Sequence, residues 1–447
     1  MNRWIKSKSA IVGGCLCFVV TSFTAQEPPE ISFKEAGFSH ERLKRIDTVM
    51  QDAVSQGRLA GLVTLVARHG RVVHFKAYGS QDRENKIPMQ KDTIFRIASL
   101  TKTATSIGVM MLMEEGELLV NDPISKYIPS FKKTTVAVPV SSTDESGGSF
   151  TVVPANREIT VRDLLTKTAG MGYPPSYLRS TYAPLDLHSF YFSDKAQPMS
   201  SIIDQIARLP FTSQPGEKYE NGFATDVLGV LIENVSGMSL DDFFRIKIFT
   251  PLQMHDTYFY LPKDKASRFA AVYTAQPDGT VKRSDGLFGQ GQGHYIDGPR
   301  MAFSAGGGLL STANDYARLV QVLVNNGEFD GVRLLSPKTV QLMLTNHVGD
   351  MYTHPGSVPR RIANPSFGKL GFGYGAEITL DLGTANHLGS RGDFGYRSAY
   401  FSRYWGDPVE KLLALFFTQL SNYGGTSDLH YKYRSLVYQA LISPSNY

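Results

Sequence analysis

Ser99-Leu100-Thr101-Lys102 places an alcohol and an amine three residues apart, a spacing at which two side chains share one face of a helix. Serine is a weak nucleophile at its ordinary pKa, and a lysine held neutral by burial or by nearby charge serves it as a base. A serine at the mouth of a helix also meets the positive end of the macrodipole and free backbone N–H groups, which favour a developing oxyanion. The spacing by itself carries little weight. Ser130-Phe131-Lys132-Lys133 repeats it in a polar stretch with no helix behind it, and a chain of this length shows about one such match at ordinary Ser and Lys frequencies. What sets Ser99 apart is the long apolar helix predicted from it to Glu115, ended by Gly116.

The elements around that helix follow from hydrophobic period and turn residues. Ser39 is a predicted N-cap for an amphipathic helix with Leu43, Ile46, Met50 and Ala53 on one face and a stop near Gly57. Leu62 to Ala67 and Val72 to Tyr78 read as a β-hairpin across His69-Gly70. Thr134 to Asn156, rich in Ser, Thr, Gly, Pro and Val, reads as a surface excursion. Arg157 to Phe303 alternates helical patterns with Gly/Pro-rich loops, Gly286 to Gly298 among them. Gly306-Gly307-Gly308 is read as a tight turn ahead of a capped helix from Ser311 to Gly327, because it lacks the Lys-Ser/Thr ending of a phosphate loop. Tyr374 to Leu380, Ala399 to Tyr404 and Leu412 to Thr418 are predicted strands, and Leu429 to Leu441 a last helix. Strands at both ends with helices between them imply an α/β (α+β) fold. One antiparallel sheet is assembled from N- and C-terminal segments and flanked by helices, with a mostly helical region inserted at about 134–303.

Composition narrows the class. With 447 residues and 42% apolar content the chain can fill a large core, so a disordered or fibrous reading is excluded. Three of its +5 formal charges are Arg3, Lys6 and Lys8, and the remainder is too small to argue for a nucleic-acid partner. A basic start, an apolar run from Ala10 to Val20 and small residues to Ala25 form the layout of a secretory signal over 1–25, too short to span a bilayer comfortably. Processing there leaves no stable membrane span and places the protein in the periplasm or outside the cell. Cys15 and Cys17 both lie inside this run, so the processed chain is expected to have no disulfide, zinc-thiolate or cysteine-nucleophile chemistry. The run continues past Cys15, which argues against lipid anchoring at that residue. No metal cluster stands out among the histidines, and no cofactor is expected.

The stretch from Phe95 through Ser99-Leu100-Thr101-Lys102-Thr103, Met110 to Gly116 and Asp122-Pro123-Ile124-Ser125-Lys126-Tyr127 resembles the class C β-lactamase superfamily, which also contains family VIII carboxylesterases and D-aminopeptidases. Arg157-Glu158-Ile159-Thr160-Val161-Arg162-Asp163-Leu164-Leu165 resembles the segment that in this family leads into His-Thr-Ser/Ala-Gly, here Lys167-Thr168-Ala169-Gly170. Pro215-Gly216-Glu217-Lys218, Asp226-Val227-Leu228-Gly229, Gly308 to Ala313 and Asp315-Tyr316 extend the likeness, which spans about Phe38 to Ile442 within a single domain over 36–445. It implies a β-lactamase/transpeptidase-like fold and an acyl-enzyme at Ser99 with Lys102 as base. The small-molecule substrates it implies are esters, amides or β-lactam-like compounds.

Two of the motifs that the resemblance leads one to expect are altered. The family's second motif supplies a proton-relaying tyrosine, and offsets from Pro-Gly and from Asp-Val-Leu-Gly both place Asn221 there; an amide has no usable pKa for the task. Tyr219 stands two residues away, where relatives carry a packing aromatic, and is the weaker candidate for the role. The third motif, small residues on a strand beside the nucleophile, aligns with Tyr396-Arg397-Ser398, a candidate substrate-binding wall. Ala399 N–H just after it is expected to form the oxyanion hole with Ser99 N–H. Arg397 either grips a substrate carboxylate or points outward. Three readings follow: a working hydrolase, a member of the fold that binds or senses without turnover, and a slow former of acyl-enzyme akin to penicillin-binding proteins.

Overall fold

The computed structural model describes residues 33–140, 149–186, 192–284, 292–352, 370–422, 426 and 428–443. The leader over 1–25 with its two cysteines, and the first part of the Gly286 to Gly298 loop, lie outside the described residues. Among the described residues no helix is long and apolar enough to cross a membrane.

An eight-stranded antiparallel sheet carries the fold, in the spatial order Leu370–Phe372, Glu377–Thr379, Phe394–Arg397, Arg403–Asp407, Leu412–Thr418, Gly61–Arg68, Arg71–Asp82 and Ile87–Pro88. The chain leaves the sheet after Pro88 and returns at Leu370. N- and C-terminal strands meet where Leu62 to Arg68 pair with Thr418 to Leu412. His69 and Gly70, at φ of 53° and 73°, close the predicted hairpin; two left-handed residues give a turn whose twist matches that of the strands it joins.

Both faces of the sheet are covered. On one, His40–Ser55 and Asp428–Gln439 bury Leu43, Ile46, Met50, Leu429, Tyr433 and Val437 against Leu62, Val66, Trp405 and Phe416. Ser39 caps the first of these helices, its side chain accepting from Arg42 N–H at 3.3 Å. On the other face lies the larger core, into which Val63, Leu65, Leu413, Leu415, Tyr396 and Tyr404 point. Its centre is the helix Thr101–Glu114, whose residues from Thr101 to Leu112 are all buried. A buried helix must satisfy its hydroxyls, and it does so across elements. Thr103 Oγ1 meets Tyr404 OH at 2.8 Å, and Thr105 Oγ1 donates to Ala305 O at 2.9 Å.

Two predicted elements differ. The stretch Thr134 to Asn156 includes a paired hairpin, Thr135–Pro139 with Phe150–Pro154, because Val136 and Ala137 are buried. Most of Ala399 to Tyr404 is a turn between strands rather than a strand. Phe401 takes φ of 62°, and Ser398 N–H donates to Ser402 O at 2.8 Å.

Candidate active site

Ser99 lies in a single 3₁₀ turn, Ala98–Leu100, that leads from the strand Phe95–Arg96 into the buried helix. Ala98 adopts φ of 44°, a left-handed conformation that costs a non-glycine residue of order 1–3 kcal/mol and persists only where surroundings fix it. They do: Ile97 N–H donates to Leu309 O at 3.1 Å, and Tyr316 OH donates to Leu100 O at 2.8 Å. The sharp turn leaves Ser99 partly exposed between buried neighbours. The expected oxyanion donors, Ser99 N–H and Ala399 N–H, lie in the turn Ala98–Leu100 and in the turn between the strands Phe394–Arg397 and Arg403–Asp407.

Lys102 Nζ lies 3.0 Å from Ser99 Oγ. Its side chain is 4% exposed, and burial lowers its pKa to about 8 while the Asp226 carboxylate pulls the other way. Lys102 also donates to Gly306 O. Gly306 is held in turn by Asp226, whose Oδ1 accepts from Gly306 N–H at 3.0 Å and from Ser304 Oγ at 2.7 Å. The glycine run is thus the tight turn expected from sequence, and its carbonyl aims the lysine. A Cβ at position 306 would sit 2.5 Å from Asp226 Oδ2. Gly306→Ala is therefore expected to cost about 1–3 kcal/mol by overpacking, read as a lower denaturant midpoint with an unchanged slope.

The second-motif candidates converge on a different amine. Tyr219 is 2% exposed, its ring packed edge-on to Tyr352 and Phe372 with centroids 4.8 and 5.0 Å apart. Among the described residues no hydrogen bond joins Tyr219 or Asn221 to Ser99 or Lys102. Both meet Lys167 instead, whose Nζ lies 3.3 Å from Tyr219 OH and 3.1 Å from Asn221 Oδ1, and which is also hydrogen-bonded to Tyr396 OH. Lys167 is buried, at φ of 58°. Burial and the like charges of Lys102 and Arg397 hold its pKa well below the usual lysine range, against a smaller upward pull from Glu377. Sequence reasoning missed this second amine. Its signal was a lysine where the resembled motif has histidine, and only the fold reveals what it touches.

On the third-motif strand Tyr396 and Arg397 face opposite sides of the sheet, as the pleat requires. Tyr396 shares the face of its cross-strand partner Tyr404, which reaches the helix Thr101–Glu114 at Thr103. Arg397 turns to Glu377, with its Nη2 and Nε at 2.6 and 3.1 Å from one carboxylate oxygen, and Tyr352 OH donates to the same oxygen. Arg397 thus points away from the face that carries Tyr396, and a buried carboxylate on the neighbouring strand holds its guanidinium. Ser398 is buried and accepts from Tyr400 N–H at 3.1 Å, which shapes the turn carrying Ala399. No group of acidic, histidine or cysteine side chains among the described residues could hold a metal ion.

Known proteins resemble this chain at every level of comparison. The Beta-lactamase family profile matches residues 46–438. Protein Rv1367c of Mycobacterium tuberculosis is 31% identical over 373 residues, covering 83% of this chain and 88% of that protein. Esterase EstB of Burkholderia gladioli is 30% identical over 303 residues, 64% of this chain and 71% of the esterase. Among solved structures EstCE1, described as a hydrolase with promiscuous acyltransferase activity, superposes with a TM-score of 0.72 at 26% identity. That match covers 89% of this chain and 99% of the other.

Proposed function

The chain belongs to the beta-lactamase family, and from that premise we propose that it is an exported serine hydrolase, periplasmic or extracellular, that forms an acyl-enzyme at Ser99. The observation that carries this reading is the buried Lys102 amine 3.0 Å from Ser99 Oγ with its pKa lowered to about 8. The neutral amine takes the Ser99 proton as Oγ bonds to the substrate carbonyl carbon. Ser99 and Ala399 N–H groups receive the negative charge on the carbonyl oxygen. The amine then hands its proton to the departing alcohol or amine, and water releases the acid.

Among esters, amides and β-lactam-like compounds, uncharged esters fit this site best. Recognition of a substrate carboxylate calls for a free cation beside the acyl site, and Arg397 is already spent on Glu377. The likenesses to an esterase and to a hydrolase with acyltransferase activity support the same choice. Tyr396 and the turn through Ser398 then form the wall that the acyl group meets.

Incubation with a fluorophosphonate is expected to add one adduct per chain, on the peptide carrying Ser99, and short-chain p-nitrophenyl esters are expected to be turned over. Intact protein that gains no adduct mass would refute the proposal. The binding-only and slow acyl-enzyme readings draw on one observation, that Tyr219 and Asn221 meet Lys167 rather than Ser99 or Lys102. Steady multiple turnover of an ester rejects both.

A further inference from the structure

Asn221 cannot relay protons, yet the place where it stands is not empty of chemistry. Its amide oxygen, the Tyr219 hydroxyl and the Tyr396 hydroxyl converge on the Lys167 amine. Asn221 Oδ1 only accepts, so one Lys167 N–H must point to it. A neutral amine has a second N–H, which Tyr219 OH can take, and one lone pair. In that form the lone pair can accept the hydroxyl proton of the third partner, Tyr396. The charged and titratable groups facing this cluster are Lys102, Arg397, Glu377, Tyr173, Tyr219 and Tyr352. Glu377 is the single acid among them, and it is committed to Arg397 and Tyr352. Two ammonium groups so close in a buried site repel each other, which favours the neutral form of at least one.

We infer that Tyr396 and Lys167 replace the missing second-motif tyrosine as the base of deacylation, with Tyr396 the catalytic residue and Lys167 the positioning residue that holds its hydroxyl and receives its proton. The inference rests on the acyl-enzyme reading above. As the water oxygen bonds to the acyl carbon, a water proton passes to Tyr396 OH while the Tyr396 proton passes to Lys167 Nζ, giving the ammonium. When the acyl carbon to Ser99 Oγ bond breaks, the proton returns from Lys167 through Tyr396 to Oγ. Water and acyl-serine become acid and serine, with both side chains restored. Tyr396 is placed for this by its strand, which abuts the turn carrying Ser99, and by sharing the face of Tyr404 that packs on the helix of Lys102.

The test separates the two half-reactions in rapid-mixing experiments with p-nitrophenyl acetate. Lys167→Met and Tyr396→Phe are expected to keep the one-equivalent burst of nitrophenol, which also reports an intact fold, and to lose roughly 10²-fold in steady-state turnover. Acetylated Ser99 should then accumulate by mass spectrometry. Wild-type deacylation should rise with pH as the Lys167 amine loses its proton, and the Lys167→Met profile should lack that limb. Lys167→Arg keeps the charge but accepts no proton, so it should remain as slow as Lys167→Met. Turnover unchanged in both variants, burst and turnover falling together, or recovery in Lys167→Arg would each overturn the inference. Wild-type protein without any burst or Ser99 adduct would sink the hydrolase reading with it, whereas a normal wild-type burst beside unaffected variants removes only the present claim.

Discussion

Lys102→Met is expected to lower kcat/KM for a p-nitrophenyl ester by about 10²–10⁴-fold, the span observed for loss of a positioned general base. The variant should also abolish labelling of Ser99 at short times. The pH dependence follows from the same amine. Burial disfavours its charged form and brings its pKa down to about 8, so the base is present above that pH and is lost by protonation below it. Wild-type kcat/KM should therefore rise about tenfold per unit up to about pH 8 and level off above. Lys102→Arg, charged at every accessible pH, should be as inactive as Lys102→Met. A wild-type profile that is flat from roughly pH 6 to pH 9 would show that some other group takes the proton.

Glu377→Ala is expected to cost about 3 kcal/mol of folding free energy, the lower end of the range for breaking a buried ion pair by removing one partner. The lower end applies because the Arg397 side chain keeps 23% of its exposure. The loss is large nonetheless. Glu377 accepts from both Arg397 and Tyr352 and is the carboxylate that faces Arg397 and Arg403. Its removal leaves the guanidinium charge of Arg397 mostly buried without its carboxylate partner. Equilibrium urea denaturation measures the change, and an unaltered midpoint would mean that solvent already screens the pair. Replacement by glutamine, which keeps the acceptor oxygen and loses the charge, should cost less than alanine.

Local chemistry was legible in the sequence because it is written at short range. Ser99 and Lys102 lie three residues apart, and any helix starting there brings them together; their separation of 3.0 Å agrees. Ser39 with its apolar stripe, the His69-Gly70 hairpin and the strand Leu412–Thr418 are equally local, since period and turn residues state them within a dozen positions. The Ala399 to Tyr404 segment misled for the same reason. Its residues suit a strand, but Phe401 and the Ser398 to Ser402 backbone bond make it a corner, and corners depend on where the neighbouring strands lie.

The amino-acid order by itself determined the fold class, the family likeness and the pairing of Ser99 with the Lys102 amine. Tertiary structure alone decided which groups gather around Tyr219 and Asn221 and where Arg397 places its charge. Lys167 and Tyr396 are 229 positions apart, and Arg397 reaches Glu377 through the register of two adjacent strands. Contacts of that span have no period in the chain. They are set by how a sheet closed from both ends of the sequence packs on a helix threaded between them, and a buried charge finds its partner only once that packing exists.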